Sequence, residues 1–270
     1  MTLAPDAFQF VATLVKDRSA IDLGVGKEYL VESRLAPLAR SAGMADVTAY
    51  IRSLRTASHL HSDVVEAMTT NETSWFRDRA PFQALRTTVL PSYEAQRRTG
   101  IRVWSAACSS GQEPYSLAML VADEFARLQV SITATDLSGR MLDQARAGRY
   151  SQLEVNRGLP APSLVKHFRR TGAAFEISAS LRAAVSFRHH NLLDPPPMGG
   201  PFDVILMRNV LIYFDVPTKR AVLARVRSAL APGGWLILGA AESTIGIDTA
   251  WSRVEVEGTS IYQVHEGETS

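Results

Sequence analysis

From about residue 101 onward, short apolar runs alternate with segments of helical periodicity, and this alternation constrains the fold more than any other feature. These strand-like runs, which are mostly apolar, are 101–106, 130–135, 202–207, 235–238 and 261–264, and the helical segments are 114–127, 138–148 and 217–230. Strands separated by helices predict an α/β fold with a mostly parallel sheet covered on both faces. Ligands of such sheets bind beyond the carboxyl ends of the strands.

Residues 1–75 have helical periodicity and contain no strand-like run. Asp46 is placed to cap a third helix and Ser62 a fourth. We therefore predict a small all-α N-terminal domain at 1–75 and a linker helix at 76–100. The α/β domain is predicted at 101–270, with residues 149–190 forming a short β-rich insertion.

The composition excludes several classes of protein. A hydrophobic fraction of 46% with 21% charged residues is typical of a globular chain, and the net charge of +2 is small for a general nucleic-acid binder. The single cysteine, Cys108, cannot form an internal disulfide, and no Cys/His set has zinc-site spacing, so we predict no metal. The chain begins without a secretory signal and has no run of about 18 apolar residues, so we expect a cytoplasmic protein.

Two segments at the carboxyl ends of predicted strands suit a nucleotide-like ligand. The small residues of 106–111 let a ligand approach the backbone, although a tight turn explains them equally well. Asp136 ends the next strand, where a carboxylate can bind ribose hydroxyls or cap the following helix. The G-x-G-x-x-G pattern is absent. A ribose-bearing ligand without a pyrophosphate, such as S-adenosylmethionine, fits this combination.

Two further segments carry polar residues. Arg208 and Asn209 directly follow the strand at 202–207, and Tyr213 lies four residues beyond Asn209. This position favours a ligand site, whereas a half-buried helical residue is the commoner explanation of such a tyrosine. Residues 69–78 are mostly polar, and their composition alone favours a solvated linker.

Together these segments resemble the CheR family of chemotaxis receptor methyltransferases. The similar segments are TTNETSWFRD (69–78), VWSAACSSGQEPYSLAM (103–119), TATDLS (133–138), HNLLD (190–194), FDVILMRNVLIYFD (202–215) and PGGWLILGAAES (232–243). The resemblance extends from about residue 6 to 264. It implies an all-α N-terminal domain joined to a Rossmann-like class I methyltransferase domain.

The resemblance also implies an activity, which is methyl transfer from S-adenosylmethionine to glutamate side chains of chemotaxis receptors for sensory adaptation. S-adenosylhomocysteine is the implied product. The implied cofactor-binding residues are Asn71, Thr73, Arg77, Glu113, Asp136, Asn191, Leu192, Arg208 and Asn209. Arg77 and Tyr213 are implied to lie nearest the transferring methyl group as the catalytic residues.

The expected partners are the cytoplasmic helices of receptors, with no nucleic acid, no membrane insertion and a monomeric enzyme. The stretch 169–185 is short for the subdomain that binds a receptor-tail peptide in some members, so we expect independence of that tether. Residues 140–190 carry nine basic and three acidic side chains. This surplus suits the electrostatic steering of an acidic partner, although a solvated arginine-rich surface explains it equally well.

Two other functions fit parts of the sequence. A methyltransferase of the same fold could act on RNA or a small molecule, but NETSWFRD argues against a generic enzyme of that class. A non-catalytic scaffold that senses S-adenosylmethionine is disfavoured because Arg77, Asp136 and Tyr213 are all present. An ionised glutamate is nucleophilic at neutral pH, so the lack of a visible Ser/His/Asp set agrees with methyl transfer.

Overall fold

The computed structural model describes residues 3–265, which divide into two compact units. Unit 1 runs to Thr70 and also includes Tyr213–Thr218, whereas unit 2 comprises Asn71–Ile212 and the chain from Lys219 onward. The division thus falls a few residues before the predicted boundary. Residues 76–100, expected to form a linker helix, belong to unit 2.

Unit 1 consists of helices packed around one apolar core. These are α1 (Pro5–Ser19), α2 (Glu28–Ser41), α3 (Val47–Leu54) and α4 (His61–Met68), with a 3-10 turn at Ser58–Leu60. Their shared core includes the fully buried side chains of Val11, Val31, Leu35 and Val64. The predicted all-α class is confirmed.

The two predicted helix caps of unit 1 had different outcomes. The Asp46 carboxylate accepts a hydrogen bond from the Ala49 amide at 2.7 Å and caps α3 as predicted. The predicted cap at Ser62 is wrong, since α4 begins at His61 without a side-chain cap. The preceding 3-10 turn runs directly into α4, which leaves no extended residue in the capping position.

Unit 2 contains all the strands found between residues 3 and 265. In chain order they are β1 (Gly100–Ala106), β2 (Gln129–Asp136), β3 (Arg149–Ser151), β4 (Phe168–Thr171), β5 (Ala174–Ile177), β6 (Val185–His189), β7 (Phe202–Met207), β8 (Leu230–Leu238), β9 (Trp251–Val256) and β10 (Thr259–Val264). The helices are α5 (Ala80–Ala84), α6 (Leu90–Ala95), α7 (Gln112–Glu124), α8 (Gly139–Ala147), α9 (Gln152–Asn156), α10 (Ala161–His167), α11 (Ala179–Ala183) and α12 (Val216–Ala229), of which residues 216–218 belong to unit 1. A π-helical turn at Leu85–Val89 connects α5 with α6. No helix among the described residues is long and apolar enough to cross a membrane.

The main sheet has seven strands in the order β6-β2-β1-β7-β8-β10-β9. The first five are parallel to their neighbours, and β10 runs antiparallel between β8 and β9. Every residue of β7 is buried, which explains the apolar run 204–207 in its sequence. The predicted Rossmann-like α/β class is confirmed, and the carboxyl ends of β1, β2 and β7 lie at one edge of the sheet.

The insertion predicted at 149–190 is built from different elements than expected. A three-stranded sheet, β3-β5-β4, lies within residues 149–177 together with α9 and α10. Val185 and Phe187, assigned to the insertion from sequence, instead belong to β6 and pair with β2 in the main sheet. The sequence of a short apolar run does not indicate which sheet the strand joins. Only the pairing of β6 with β2 in the folded structure assigns it to the main sheet.

A close backbone contact at Gly158 provides a test of this packing. Gly158 has a φ of +94°, and a Cβ atom there would lie 2.3 Å from the Trp75 carbonyl oxygen. We expect Gly158→Ala to lower the free energy of unfolding by about 2–5 kcal/mol, because left-handed strain and overpacking add. Urea unfolding of the full chain measures the change.

Gly172 is the matched control, because its φ is +62° and a Cβ atom added there would have no heavy atom within 4 Å. Gly172→Ala should cost only the left-handed strain, about 1–2 kcal/mol. Equal losses in the two variants would show that the close approach of Gly158 to Trp75 does not contribute to the loss of stability.

Candidate active site

The loop after β1 wraps around the carboxylate at the end of β2. Ala107 and Ser109 adopt left-handed conformations, with φ of 63° and 49°. The Ser109 amide donates a hydrogen bond to Oδ2 of Asp136 at 2.7 Å. This loop is therefore fixed to β2 rather than being only a turn into α7.

Asp136 is nearly buried and shapes the turn into α8. Its Oδ1 accepts a hydrogen bond from the Ser138 amide at 2.8 Å. Ser138 itself caps α8, since its hydroxyl accepts a hydrogen bond from the Met141 amide at 3.1 Å. Each carboxylate oxygen can accept more than one hydrogen bond, so the structural role of Asp136 is compatible with ribose binding.

The segment 71–78 is bonded to the loop after β1 and to α7. The Ser109 hydroxyl donates to the Asn71 carbonyl at 2.8 Å, and the Phe76 amide donates to the Ser116 hydroxyl at 3.0 Å. The Trp75 ring is 1% exposed and packs edge-on against Tyr150, with centroids 4.9 Å apart. The solvated linker that composition favoured is thus not what the structure shows.

Arg208 is the centre of a buried ionic network. Its Nη1 donates to Oε2 of Glu113 at 3.0 Å, and its Nη2 donates at 2.7 Å to both the Arg77 carbonyl oxygen and Oδ2 of Asp78. The other oxygen of Glu113 accepts the Ser105 hydroxyl at 2.8 Å. The Arg208 side chain is 1% exposed. One guanidinium therefore joins β7, α7 and the segment 71–78.

This network holds strained backbone. Phe76, Asp78 and Arg79 have φ of 48°, 66° and 48°, which is the left-handed region. Such residues cost of the order of 1–3 kcal/mol each and persist only where their surroundings fix them. The two hydrogen bonds from Arg208 to Arg77 and Asp78 lie within this strained stretch and supply that constraint. Glu113 and Arg208, expected to contact the cofactor, have protein partners here, and their direct contact stays a prediction.

The remaining candidates near this edge are half-buried. The guanidinium of Arg77 donates to the Glu72 carbonyl at 2.9 Å and lies outside the buried network. Thr73 is also half-buried. Asn209 follows Arg208 with a left-handed φ of 58°.

Asn191 and Leu192 lie on the loop that follows β6. The preceding residue, His190, donates its amide to the Asp136 carbonyl at 3.0 Å, which ties this loop to the end of β2. The Asn191 side-chain oxygen accepts the Leu193 amide at 3.1 Å. The loop thus lies beside Asp136, as the predicted cofactor site requires.

Tyr213 is half-buried, and its carbonyl accepts a hydrogen bond from the Asp22 amide at 2.9 Å. Both residues belong to unit 1. The catalytic role of Tyr213 therefore stays a prediction.

Two titratable groups near Asp136 have shifted pKa values. Burial, with the Asp136 and Glu113 carboxylates nearby, raises the pKa of the Cys108 thiol well above its ordinary value. Burial lowers the pKa of His190. At pH 7 the Cys108 side chain is therefore an uncharged thiol, and the His190 side chain is an uncharged imidazole. Among residues 3–265 no cluster of His, Cys, Asp and Glu could hold a metal ion.

Sequence reasoning missed Glu242 as a functional residue. Its carboxylate accepts hydrogen bonds from the backbone amides of Asn209, Val210, Ile212 and Gly239. The available signal was a glutamate three residues after a glycine that follows a buried strand.

The nine basic residues of 140–190 are less available than their number indicates. Ion pairs with carboxylates engage Arg146, Arg157, Lys166, Arg169 and Arg182. Asp143 and Glu176 are already counted in the surplus of nine minus three, or six, charges. Only the pairs of Arg157 with Glu72 and of Lys166 with Asp123 use carboxylates outside 140–190, so they lower the surplus from six to four.

The residues present fit S-adenosylmethionine. Asp136 is a carboxylate fixed by two backbone amides at a strand end, where it can accept ribose hydroxyls. The loops at 107–111 and 190–194 are bonded to β2 beside it. The donor set contains no phosphate-binding glycine pattern, which agrees with a ligand that lacks a pyrophosphate.

Comparison with protein families matches both units. Residues 6–69 match the all-alpha domain of CheR methyltransferase, and residues 71–258 match the CheR methyltransferase SAM-binding domain. The boundary between the two matches coincides with the division of the structure near residue 70.

Relatives are similar over nearly the whole chain. Chemotaxis protein methyltransferase 1 of Pseudomonas aeruginosa is 41% identical, covering 97% of this chain and 99% of the relative. Chemotaxis protein methyltransferase Cher2 of Pseudomonas putida is 40% identical, covering 95% and 97%. The chemotaxis protein methyltransferase of Escherichia coli is 32% identical, covering 97% and 92%.

The buried network predicts a large loss of stability when Arg208 is removed. Arg208→Met leaves Glu113 buried without its cation and releases Asp78, so the free energy of unfolding should fall by about 3–5 kcal/mol. Denaturant unfolding measures it. Adding Glu113→Gln should restore part of the loss, because the uncompensated charge is gone.

Arg146→Met is the matched control, since Arg146 pairs with Asp143 at 2.8 Å on an exposed face. Its loss should be below about 1 kcal/mol. Similar losses at both positions would show that burial of the Arg208 network does not matter.

Proposed function

Because the chain belongs to the CheR methyltransferase family, we propose that it methylates glutamate side chains of chemotaxis receptors, using S-adenosylmethionine and forming methyl esters. The observation that supports this most is the network at Arg208, which fixes Arg77 and Asp78 to α7 and β7. It holds the segment NETSWFRD, absent from generic enzymes of this fold, beside the loop that encloses Asp136.

The proposed chemistry requires no general base. A receptor glutamate has an ordinary pKa of about 4.3, so it is an ionised nucleophile at neutral pH. When bound, S-adenosylmethionine supplies a methyl group that is activated by its positively charged sulfur. The protein's contribution is to align the carboxylate for in-line attack, and positioning of this kind can lower the barrier by several kcal/mol.

We assign roles to the residues accordingly. Asp136 accepts the ribose hydroxyls. The other cofactor contacts fall to Asn71, Thr73, Glu113, Asn191, Leu192, Arg208 and Asn209, with Arg208 and Glu113 also holding the segment 77–78 in place.

Arg77 and Tyr213 are the two proposed catalytic residues, and each positions a group near the transferring methyl. Arg77 holds the substrate or the methionine carboxylate through its planar guanidinium, a geometry that suits paired hydrogen bonds to a carboxylate. Tyr213 orients the substrate or an edge of the cofactor through its hydroxyl.

We further propose where and how the enzyme meets its substrate. It acts in the cytoplasm as a monomer on the cytoplasmic helices of receptors. The insertion sheet β3-β5-β4 has strands of only 3–4 residues, and the stretch 169–185 is short, so docking does not depend on a receptor-tail peptide.

The activity is tested by transfer of radiolabelled methyl groups to a receptor cytoplasmic fragment. We expect label on glutamate that base releases, because methyl esters hydrolyse in base. A fragment lacking the carboxyl-terminal tail should be labelled at the same rate, since no tether is required.

The alternative functions have their own outcomes in this assay. Label on RNA or a small molecule, with none on receptor, would support another methyltransferase of this fold. Binding of S-adenosylhomocysteine without any transfer would support a non-catalytic sensor.

The role of Arg77 is tested by Arg77→Ala. We expect turnover to fall about 100-fold, because a misaligned nucleophile loses the benefit of positioning. Arg77→Lys should recover only part, since an ammonium cannot form the paired contact of a guanidinium. Rates at saturating cofactor and receptor are the measurement.

Arg79→Ala is the matched control, because Arg79 is exposed and lies two residues beyond Arg77 in the same segment. It should keep turnover close to that of the unmodified enzyme. Full turnover with normal cofactor affinity in Arg77→Ala would exclude the proposed role.

A further inference from the structure

Glu242 occupies a concave set of backbone amides at the carboxyl ends of β7 and β8. Its Oε2 accepts the amides of Asn209 at 2.7 Å and Gly239 at 2.8 Å. Its Oε1 accepts the amides of Val210 at 2.8 Å and Ile212 at 3.3 Å. An ionised carboxylate suits this arrangement because both of its oxygens only accept hydrogen bonds.

The two loops approach each other so closely that only glycine fits at position 239. A Cβ atom on Gly239 would lie 2.6 Å from Oε2 of Glu242 and 2.8 Å from the Asn209 amide nitrogen. The Glu242 amide in turn donates to the Gly239 carbonyl at 2.9 Å, which closes a turn. The loop after β8 thus presents its carboxylate directly to the loop after β7.

The loop that Glu242 holds is the one carrying two of the predicted cofactor residues. Met207 of β7 pairs with Leu238 of β8, so both loops leave the sheet at the same level. Asn209 has a left-handed φ of 58°, and the bond from its amide to Glu242 stabilises that conformation. The direction of the Asn209 side chain therefore depends on Glu242.

We propose that Glu242 is a positioning residue, whose carboxylate fixes the turn 209–212 and thereby aims Asn209 at the cofactor. This rests on the proposed function for the cofactor, but not on the identity of the methyl acceptor. In this role Glu242 acts through the backbone it holds rather than through a contact of its own with cofactor or substrate. The same turn leads directly into Tyr213.

The test measures S-adenosylhomocysteine affinity by calorimetry in three variants of the full chain. Glu242→Gln places an amide donor against backbone donors, and we expect the Kd to rise about 10-fold. Asn209→Gly keeps the left-handed backbone but removes the side chain, with a similar rise. In the double variant the Kd should exceed that of the weaker-binding single variant by no more than about threefold. The reason is that both substitutions remove the same contribution to cofactor binding, which can be lost only once.

The outcomes separate positioning from a merely structural role. Independent effects would multiply, giving about 100-fold in the double variant, and that result would overturn the proposal. Unchanged affinity in Glu242→Gln would overturn it too. Glu94→Gln is the control, since Glu94 is exposed on unit 2, and its Kd should be unchanged.

Two further measurements keep the result decisive. Glu242→Asp keeps the negative charge on a shorter side chain, so it should bind S-adenosylhomocysteine better than Glu242→Gln. If Glu242→Gln does not fold, Glu242→Asp takes its place in the double variant with Asn209→Gly. Receptor labelling by the unmodified enzyme is measured in parallel. Coupled affinities without receptor labelling would refute the proposed substrate alone, whereas labelling with independent affinities would refute the role of Glu242 alone.

Discussion

The arrangement of the candidate site depends on a charged side chain buried inside unit 2. A guanidinium removed from water costs several kcal/mol unless its partners compensate. Arg208 has two carboxylates, those of Glu113 and Asp78, together with the Arg77 carbonyl. These partners come from separate parts of the chain, so the network forms only when β7, α7 and the segment 71–78 are all in place. The Arg208 charge is therefore compensated only when the site is correctly assembled.

Much of this arrangement was readable in the sequence, for identifiable reasons. The run 202–207 is entirely buried and, apart from Asp203, apolar, and this pattern indicated the strand. Asp136 was recognisable because a carboxylate at a strand end has few explanations. The segment 71–78 was not predictable from composition, since it forms hydrogen bonds to distant partners such as Ser109 and Arg208. Only its similarity to a family indicated that it was more than a linker.

The features that sequence reasoning missed share one physical property, which is that they depend on backbone atoms. Glu242 binds amides of residues about 30 positions earlier, and any residue type except proline supplies an amide. Residues 213–218 belong to unit 1, where the Tyr213 carbonyl accepts a hydrogen bond from the Asp22 amide. Such a backbone contact does not depend on residue type, so the sequence does not indicate it. Side-chain chemistry can be read from a pattern of letters, whereas contacts to backbone become visible only when the fold brings the chain together.

The proposed methylation of a glutamate needs no general base, which would give the protein a particular task. With an ionised nucleophile and an activated methyl group, little remains to be gained from proton transfer, and geometry becomes the principal contribution. Strained residues at 76, 78 and 79 and a left-handed Asn209 are consistent with that demand, because strain persists only where surrounding bonds fix the backbone. Arg208 supplies such bonds to the first stretch and Glu242 to the second. Both are charged side chains that bind backbone groups. Each fixes the backbone of a residue for which a role is proposed, Arg77 by Arg208 and Asn209 by Glu242.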